Sequence, residues 1–344
     1  MELLQRLVAI PSFSKEEDQT AECINTFLIQ KGIATNRIGN NVFAQNKYFD
    51  ESKPTVLLNS HHDTVKPNAG YTKDPFLPVI ENGKLFGLGS NDAGGALVSL
   101  VAAFCHFYEH TRLKYNLVMA ATAEEETSGS DGIEAVLPHL PTIDCALVGE
   151  PTGMHLAVAE RGLMVLDCVA TGRSGHAARN EGDNALYKAL GDIEWIKEYT
   201  FPDVSPLLGP VKMSVTVIET SNKAHNVVPH VCTFVVDVRV NEMYSLEQAL
   251  KKIQSSIQSN VTPRSLRLRS SIIEQAHPLV QAGFALGRES YGSPTTSDKA
   301  LMPFPALKIG PGDSARSHTA DEFIYVHEIG QGIDLYIQLL NQLL

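Results

Sequence analysis

Short apolar runs punctuate this chain, and several of them end abruptly in polar, titratable residues. Residues 55–58 lie between Lys53-Pro54 and Asn59, and residues 116–121, 145–148 and 306–309 repeat the pattern. Each has the length and composition of a strand buried on both faces of a sheet. Between them the apolar spacing turns helical. After a short first helix, Ser14 and Glu17 stand at capping-box spacing before a helix that runs to about Gln30 and is closed by Gly32. Residues 41–45 read as an outer strand. Residues 93–110 are almost wholly apolar and predict a buried helix, with Asp92 at its N-cap. Pro67, Pro75 and Pro78 exclude regular helix before Gly89.

The middle of the chain has another rhythm. Strands are expected over 163–171, 212–219, 232–240 and 265–271, and helices over 184–199 and 245–258. This β-α-β-β-α-β order predicts a ferredoxin-like unit with a four-stranded antiparallel sheet. The flanking pattern then resumes, so the unit is an insertion: residues 1–160 and 272–344 form an α/β domain with a mixed sheet, and residues 161–271 an α+β domain inside it.

The ends of the apolar strands carry the candidate chemistry. The first ends in His61-His62-Asp63; alternation in an extended segment sends His61 and Asp63 to one side and His62 to the other. A histidine at a polar strand end is often just hydrogen-bonded, but the other strands end alike. The second leads into Glu124-Glu125-Glu126, the third into Glu150, and the fourth into Asp313 and His318. Ligands bind at the carboxyl edge of open α/β sheets. Three adjacent carboxylates after a buried strand repel one another unless a cation lies among them. His61, Asp92, Glu126, Glu150 and His318 therefore form a candidate ligand set. Two imidazoles with three carboxylates suit zinc or a similar first-row divalent ion better than calcium or magnesium, and the carboxylate count suggests two ions with one carboxylate shared. Asp92 can cap a helix and ligate at once, since a carboxylate has lone pairs for both. A spare glutamate of the triplet can act as general base.

Composition narrows the partners. A net charge of −11 without a basic run argues against nucleic acid or an anionic membrane surface. No apolar run approaches a membrane span, and the N-terminus lacks a signal peptide's basic region. The five cysteines are scattered and odd in number, as expected of reduced core thiols in a cytoplasmic protein.

In combination, Ser60-His-His-Asp-Thr-Val65, Gly89-Ser-Asn-Asp-Ala-Gly-Gly95, Thr122-Ala-Glu-Glu-Glu-Thr-Ser128, Val148-Gly-Glu-Pro-Thr152, Gly175-His-Ala-Ala178, Asn226-Val-Val-Pro229, Gly310-Pro-Gly-Asp313 and Ser317-His-Thr319 make the chain resemble the M20 family of dinuclear zinc metallopeptidases and deacylases. Within that family it looks most like the acetylornithine deacetylases. The resemblance implies a zinc-exopeptidase-like catalytic domain with an inserted lid and dimerisation domain. It implies two zinc ions, with cobalt or another divalent ion as a substitute: His61, Asp92 and Glu150 on one, and Asp92, Glu126 and His318 on the other. It further implies that Glu125 is the general base, that Asp63 orients His61, that His176 supplies an oxyanion contact from a partner subunit of a homodimer, and that Asn226 and Arg239 approach the substrate. The implied reaction is amide hydrolysis of an N-acyl amino acid, N-acetylornithine first, with small peptides, N-acetyl-lysine and N-succinyl amino acids as alternatives. A non-catalytic binding protein on the same fold would have lost Glu125 or several ligands, and all are present. The family's usual Asp-Glu-Glu is Glu124-Glu125-Glu126 here, and Asn91-Asp92-Ala93-Gly94 replaces the more frequent Asp-Met-Lys-Gly.

Overall fold

The computed structural model describes residues 1–179, 181–220 and 222–344. These divide into two compact units, one of residues 1–158, 272–291 and 297–344 and another of residues 159–271 and 292–296.

The first unit is built on a mixed sheet. From one edge inward its strands are Asn36–Ile38, Asn41–Gln45, Asn116–Thr122, Thr55–His61, Cys145–Val148, Ala306–Lys308 and Leu156–Glu160. The strands 116–122, 55–61, 145–148 and 306–308 are mutually parallel, and 41–45 and 156–160 run antiparallel beside them. Every residue of 55–61 and 116–122 is buried, as their continuous apolar pattern requires. In register, His61 lies opposite Thr122 and Asn59 opposite Val148, so three carboxyl ends open at one level. The fourth is pinned from behind: the fully buried Tyr336, on the helix Val326–Leu343, donates its hydroxyl to the Ile309 carbonyl at 2.5 Å. Removing that hydroxyl would leave a buried carbonyl unpaired, at a cost of about 1–3 kcal/mol.

Two helix starts differ from expectation. The helix Asp18–Gln30 has no side-chain cap. Ser14 donates instead to Asp63 at 2.6 Å, while Glu17 accepts from the Lys15 amide at 2.6 Å and the Glu124 amide at 3.2 Å. The buried apolar helix is Gly95–Phe107, and Asp92 does not cap it. Asp92 sits in an irregular turn with φ −114° and ψ 99°, so its carboxylate is not spent on helix amides.

The second unit carries an antiparallel sheet in the order Lys212–Thr220, Val231–Val240, Gly162–Thr171, Asn260–Pro263, with helices Ala185–Glu198 and Leu246–Gln254. Alternate strand residues Met164, Leu166, Cys168, Phe234, Val236 and Val238 point into its core. The last strand comes earlier than the expected 265–271. The buried Asp192 carboxylate accepts the amides of Gln258 and Ser259 at 2.9 and 2.8 Å, which anchors the chain just before Asn260. Residues 264–270 then run as irregular chain, with Leu268 still buried.

Candidate metal centre

His61 is the last residue of its strand and fully enclosed. Its Nδ1 lies 3.0 Å from the Asp63 carbonyl and 3.4 Å from the Asp63 carboxylate. An Nδ1–H held there leaves the Nε2 lone pair free, and Nε2 points at a group of carboxylates: Asp92 Oδ1 at 3.4 Å, Glu150 Oε1 at 3.8 Å and Glu125 Oε2 at 4.0 Å. His62 turns the other way, between the Thr20 hydroxyl and the Asn40 carbonyl, each at 2.9 Å, and is structural.

The Asp63 carboxylate does more than face His61. Its Oδ1 accepts the Glu125 amide and its Oδ2 the Glu126 amide, each at 3.1 Å, while Ser14 donates to Oδ2. It therefore fixes the backbone of the acidic turn as well as the imidazole. Glu124 adopts a left-handed φ of 57°, and its side chain lies over Gly129, where any Cβ would overlap it. That arrangement directs Glu124 away and leaves the next two glutamates facing the histidines. Glu126 Oε2 is 3.0 Å from His318 Nε2, and Glu125 faces His61.

Asp92 spans the two histidines, with Oδ1 toward His61 and Oδ2 3.7 Å from His318 Nε2. Ligand atoms of His61, Glu125 and Glu150 lie within 4.8 Å of one another, as do those of His61, Asp92 and Glu126. His61, Asp92, Glu125, Glu126, Glu150 and His318 thus converge in the first unit, with Asp63 directly behind them.

The electrostatics of the cluster are dominated by burial and by the crowding of like charges. Burial, opposed by Lys308 and His61, pushes the Glu150 carboxyl up to about 8. Burial and the Glu150, Asp298 and Glu126 charges hold Glu125 well above the carboxylate range, although His61 opposes them. The Glu126 hydrogen bond raises His318 to about 9. Burial would lower His61, but Asp63, Asp92, Glu125 and Glu150 together outweigh it and raise it well above its ordinary value. Four carboxylates and two imidazoles, with divergent oxygens on one carboxylate, fit a pair of borderline divalent cations and would be relieved by them.

Three further candidate residues belong to the second unit. Gly175–His176 pairs with Val227–Val228, which sets the exposed His176 opposite Val227, and the carbonyl of the preceding Asn226 accepts the Ala177 amide at 3.0 Å. The Ala178 amide donates to His176 Nδ1 at 3.2 Å, so the neutral ring carries its proton on Nε2 and offers a donor there. Asn226 is also exposed. Arg239 is half-buried and held by Asp237 through two bonds of 2.8 and 3.0 Å.

Some residues of the first unit escaped the reading of the sequence. Glu322 accepts three backbone amides of the Asp92 turn. Asp298, pushed up to about 6 by burial, accepts the Thr122 hydroxyl at 2.8 Å behind the acidic turn. An acidic residue four positions after a candidate ligand histidine was the one signal for Glu322; Asp298 follows no apolar strand and offered none.

A mixed sheet with such a cluster at the carboxyl ends of its parallel strands fits a metal-dependent hydrolase. Residues 57–342 match peptidase family M20/M25/M40, and the chain belongs to that family. It is 29% identical, over 99% of its length and 95% of the relative's, to a succinyl-diaminopimelate desuccinylase of Corynebacterium glutamicum. The fold matches an M20 family metallo-carboxypeptidase from Sulfolobus solfataricus with a TM-score of 0.80 at 17% identity, covering 99% of this chain and 98% of that one. It also matches a dinuclear metal binding peptidase of the M20 family from Bacillus subtilis, with a TM-score of 0.73 at 15% identity over 98% and 96% of the two chains. The enzyme is a metal-dependent amide hydrolase.

Proposed function

We propose that the enzyme removes the acyl group from an N-acyl amino acid, with an N-succinyl diamino acid as first substrate. The desuccinylase relative, aligned along almost the whole chain, supports the succinyl group over the N-acetylornithine that the motifs alone suggested. The observation that carries the hydrolytic reading is Asp92, with one oxygen toward each histidine of the cluster.

His61, Asp92 and Glu150 would hold one divalent ion, and Asp92, Glu126 and His318 the other. When bound, such a pair supplies Lewis acidity that polarises the amide carbonyl and makes water a nucleophile near neutral pH. Glu125 takes the water's proton on Oε2 and delivers it to the departing amine nitrogen, so that one carboxylic acid and one amine leave for each amide cleaved. Its raised proton affinity suits both halves of that transfer, provided the cations nearby keep it ionised at the start. Asp63 keeps Glu125 in place by accepting the hydrogen bond of its backbone amide.

Residues 161–271 act in this reading as lid and dimerisation domain. His176 Nε2–H serves the oxyanion of the partner subunit's substrate, and Asn226 and Arg239 contact the substrate. The five free thiols favour a cytoplasmic setting; among the described residues no helix is long and apolar enough to cross a membrane. Amine release from N-succinyl-diaminopimelate, N-acetylornithine, N-acetyl-lysine and dipeptides tests the assignment. Turnover of N-acetylornithine well above the succinyl substrate would restore the acetyl reading, and no release from any of them would refute both.

A further inference from the structure

Two of the three ligands assigned to the second ion, Asp92 and His318, lie on loops that are not strand ends. Asp92 lies in the irregular turn Ser90–Gly94, and His318 lies in residues 317–322, with a left-handed φ of 59°. Two side chains join them. Glu322, only 2% exposed, accepts the Asn91 and Asp92 amides on Oε1 at 2.9 and 2.8 Å and the Gly89 amide on Oε2 at 3.1 Å. In return Asn91, fully buried, accepts the Asp313 amide on Oδ1 at 3.0 Å and donates Nδ2 to the Asp313 carbonyl at 3.1 Å. A side chain of the His318 loop thus binds the backbone of the Asp92 turn, and the Asp92 turn in return binds the backbone at Asp313, just before that loop.

We infer that Glu322, with Asn91 as its counterpart, is a positioning residue that sets the distance between Asp92 and His318 and so decides whether the second ion is held. This rests on the dinuclear reading above. His61 and Glu150 do not depend on the clasp, because they end or closely follow paired parallel strands. The ion they share should tolerate a slack Asp92 turn. The other ion has only loop-borne Asp92, Glu126 and His318, and Glu126 is separately tied to Asp63. Loosening the clasp should therefore weaken one ion selectively.

The substitution Glu322→Gln is nearly isosteric but puts an NH2 group where an oxygen now receives an amide hydrogen. At least one of the three bonds becomes a donor–donor contact. Apo wild type and variant are titrated with Zn2+ against a chromophoric chelator, and with Co2+ followed by its visible absorption. Folding is checked by far-UV circular dichroism. Wild type should take up two ions. The variant should keep the tighter one almost unchanged and hold the weaker one about ten- to a hundredfold less firmly, with a changed cobalt spectrum. A general loss of stability would not move the affinities of the folded fraction in this selective way. Should the variant fail to fold, Asn91→Ala opens the clasp from the other loop and must give the same selective loss. Two ions held as in wild type, or both weakened alike, overturn the inference. Wild type that takes up fewer than two ions overturns the dinuclear reading and the inference with it.

Discussion

Stripped of metal, the protein should lose stability as pH rises from about 6 to about 8. The cause is the Glu150 carboxyl, raised from 4.5 to about 8 in the fold by burial. Between those values the folded chain holds a proton that the unfolded chain has released, so this stabilisation is complete below about 4.5 and vanishes as pH passes through about 8. For Glu150 alone the linkage integral loses about 2 kcal/mol between pH 6 and pH 8. Glu322, raised to about 8 for the same reason, acts with the same sign. So do Glu125 and His61, whose raised values add stability at lower pH that is lost as pH rises, while His62, lowered by burial, acts in the opposite sense. His318 is more than half exposed, and solvent screening makes its share small. Asp63 and Asp92 are lowered, so their stabilisation is lost only as pH falls through the acid range, outside this window.

Urea unfolding of chelated protein at the two pH values measures the effect. The sole tryptophan, Trp195, lies in the second unit, so far-UV circular dichroism is the reporter to use for the first. A loss of about 2–4 kcal/mol is expected. With zinc in excess the slope should reverse, because ligation needs the deprotonated side chains and binding adds to the stability of the folded state. Chelated protein, verified free of metal, that is as stable at pH 8 as at pH 6 would refute the electrostatic account.

Other expectations concern individual residues. Glu125→Gln should keep both ions and lose turnover by about 10²–10⁴, whereas Glu126→Gln should weaken one ion; exchanged phenotypes, read by metal analysis and kcat, would move the base by one position. Replacing all five cysteines with Ser should leave the pH–rate profile unchanged, because burial pushes Cys145 and Cys168 up to about 12 and away from thiolate; a shifted profile would count against this. Mixing His176→Ala chains with Glu125→Ala chains should restore activity in heterodimers if His176 acts across the dimer, since one site then carries both defects and the other neither. Heterodimers that stay inactive would end that assignment.

What the sequence made legible was whatever a local pattern determines. Residues 55–58 and 116–121 could only be interior strands, and a parallel sheet sends their carboxyl ends to one edge, so His61 and the acidic triplet could be placed together before any coordinates. The facing of Glu125 and Glu126 was less accessible, because it depends on the left-handed Glu124 and on Gly129 beneath it, a tertiary fit that no spacing encodes. Asp92 was misread as a cap for a related reason. Capping grammar assumes a regular first turn, and the turn here is irregular because Glu322, 230 residues away, takes the amides that a helix start would otherwise leave to its own cap. The same long-range competition undid the Ser14–Glu17 box: both side chains were drawn off to Asp63 and to the acidic turn. In each case a polar side chain expected to serve its own helix is turned instead toward the loops around the ligands. Failed caps just before buried helices are therefore informative here, since they occur where the fold has given up local hydrogen bonding to set the geometry of the centre.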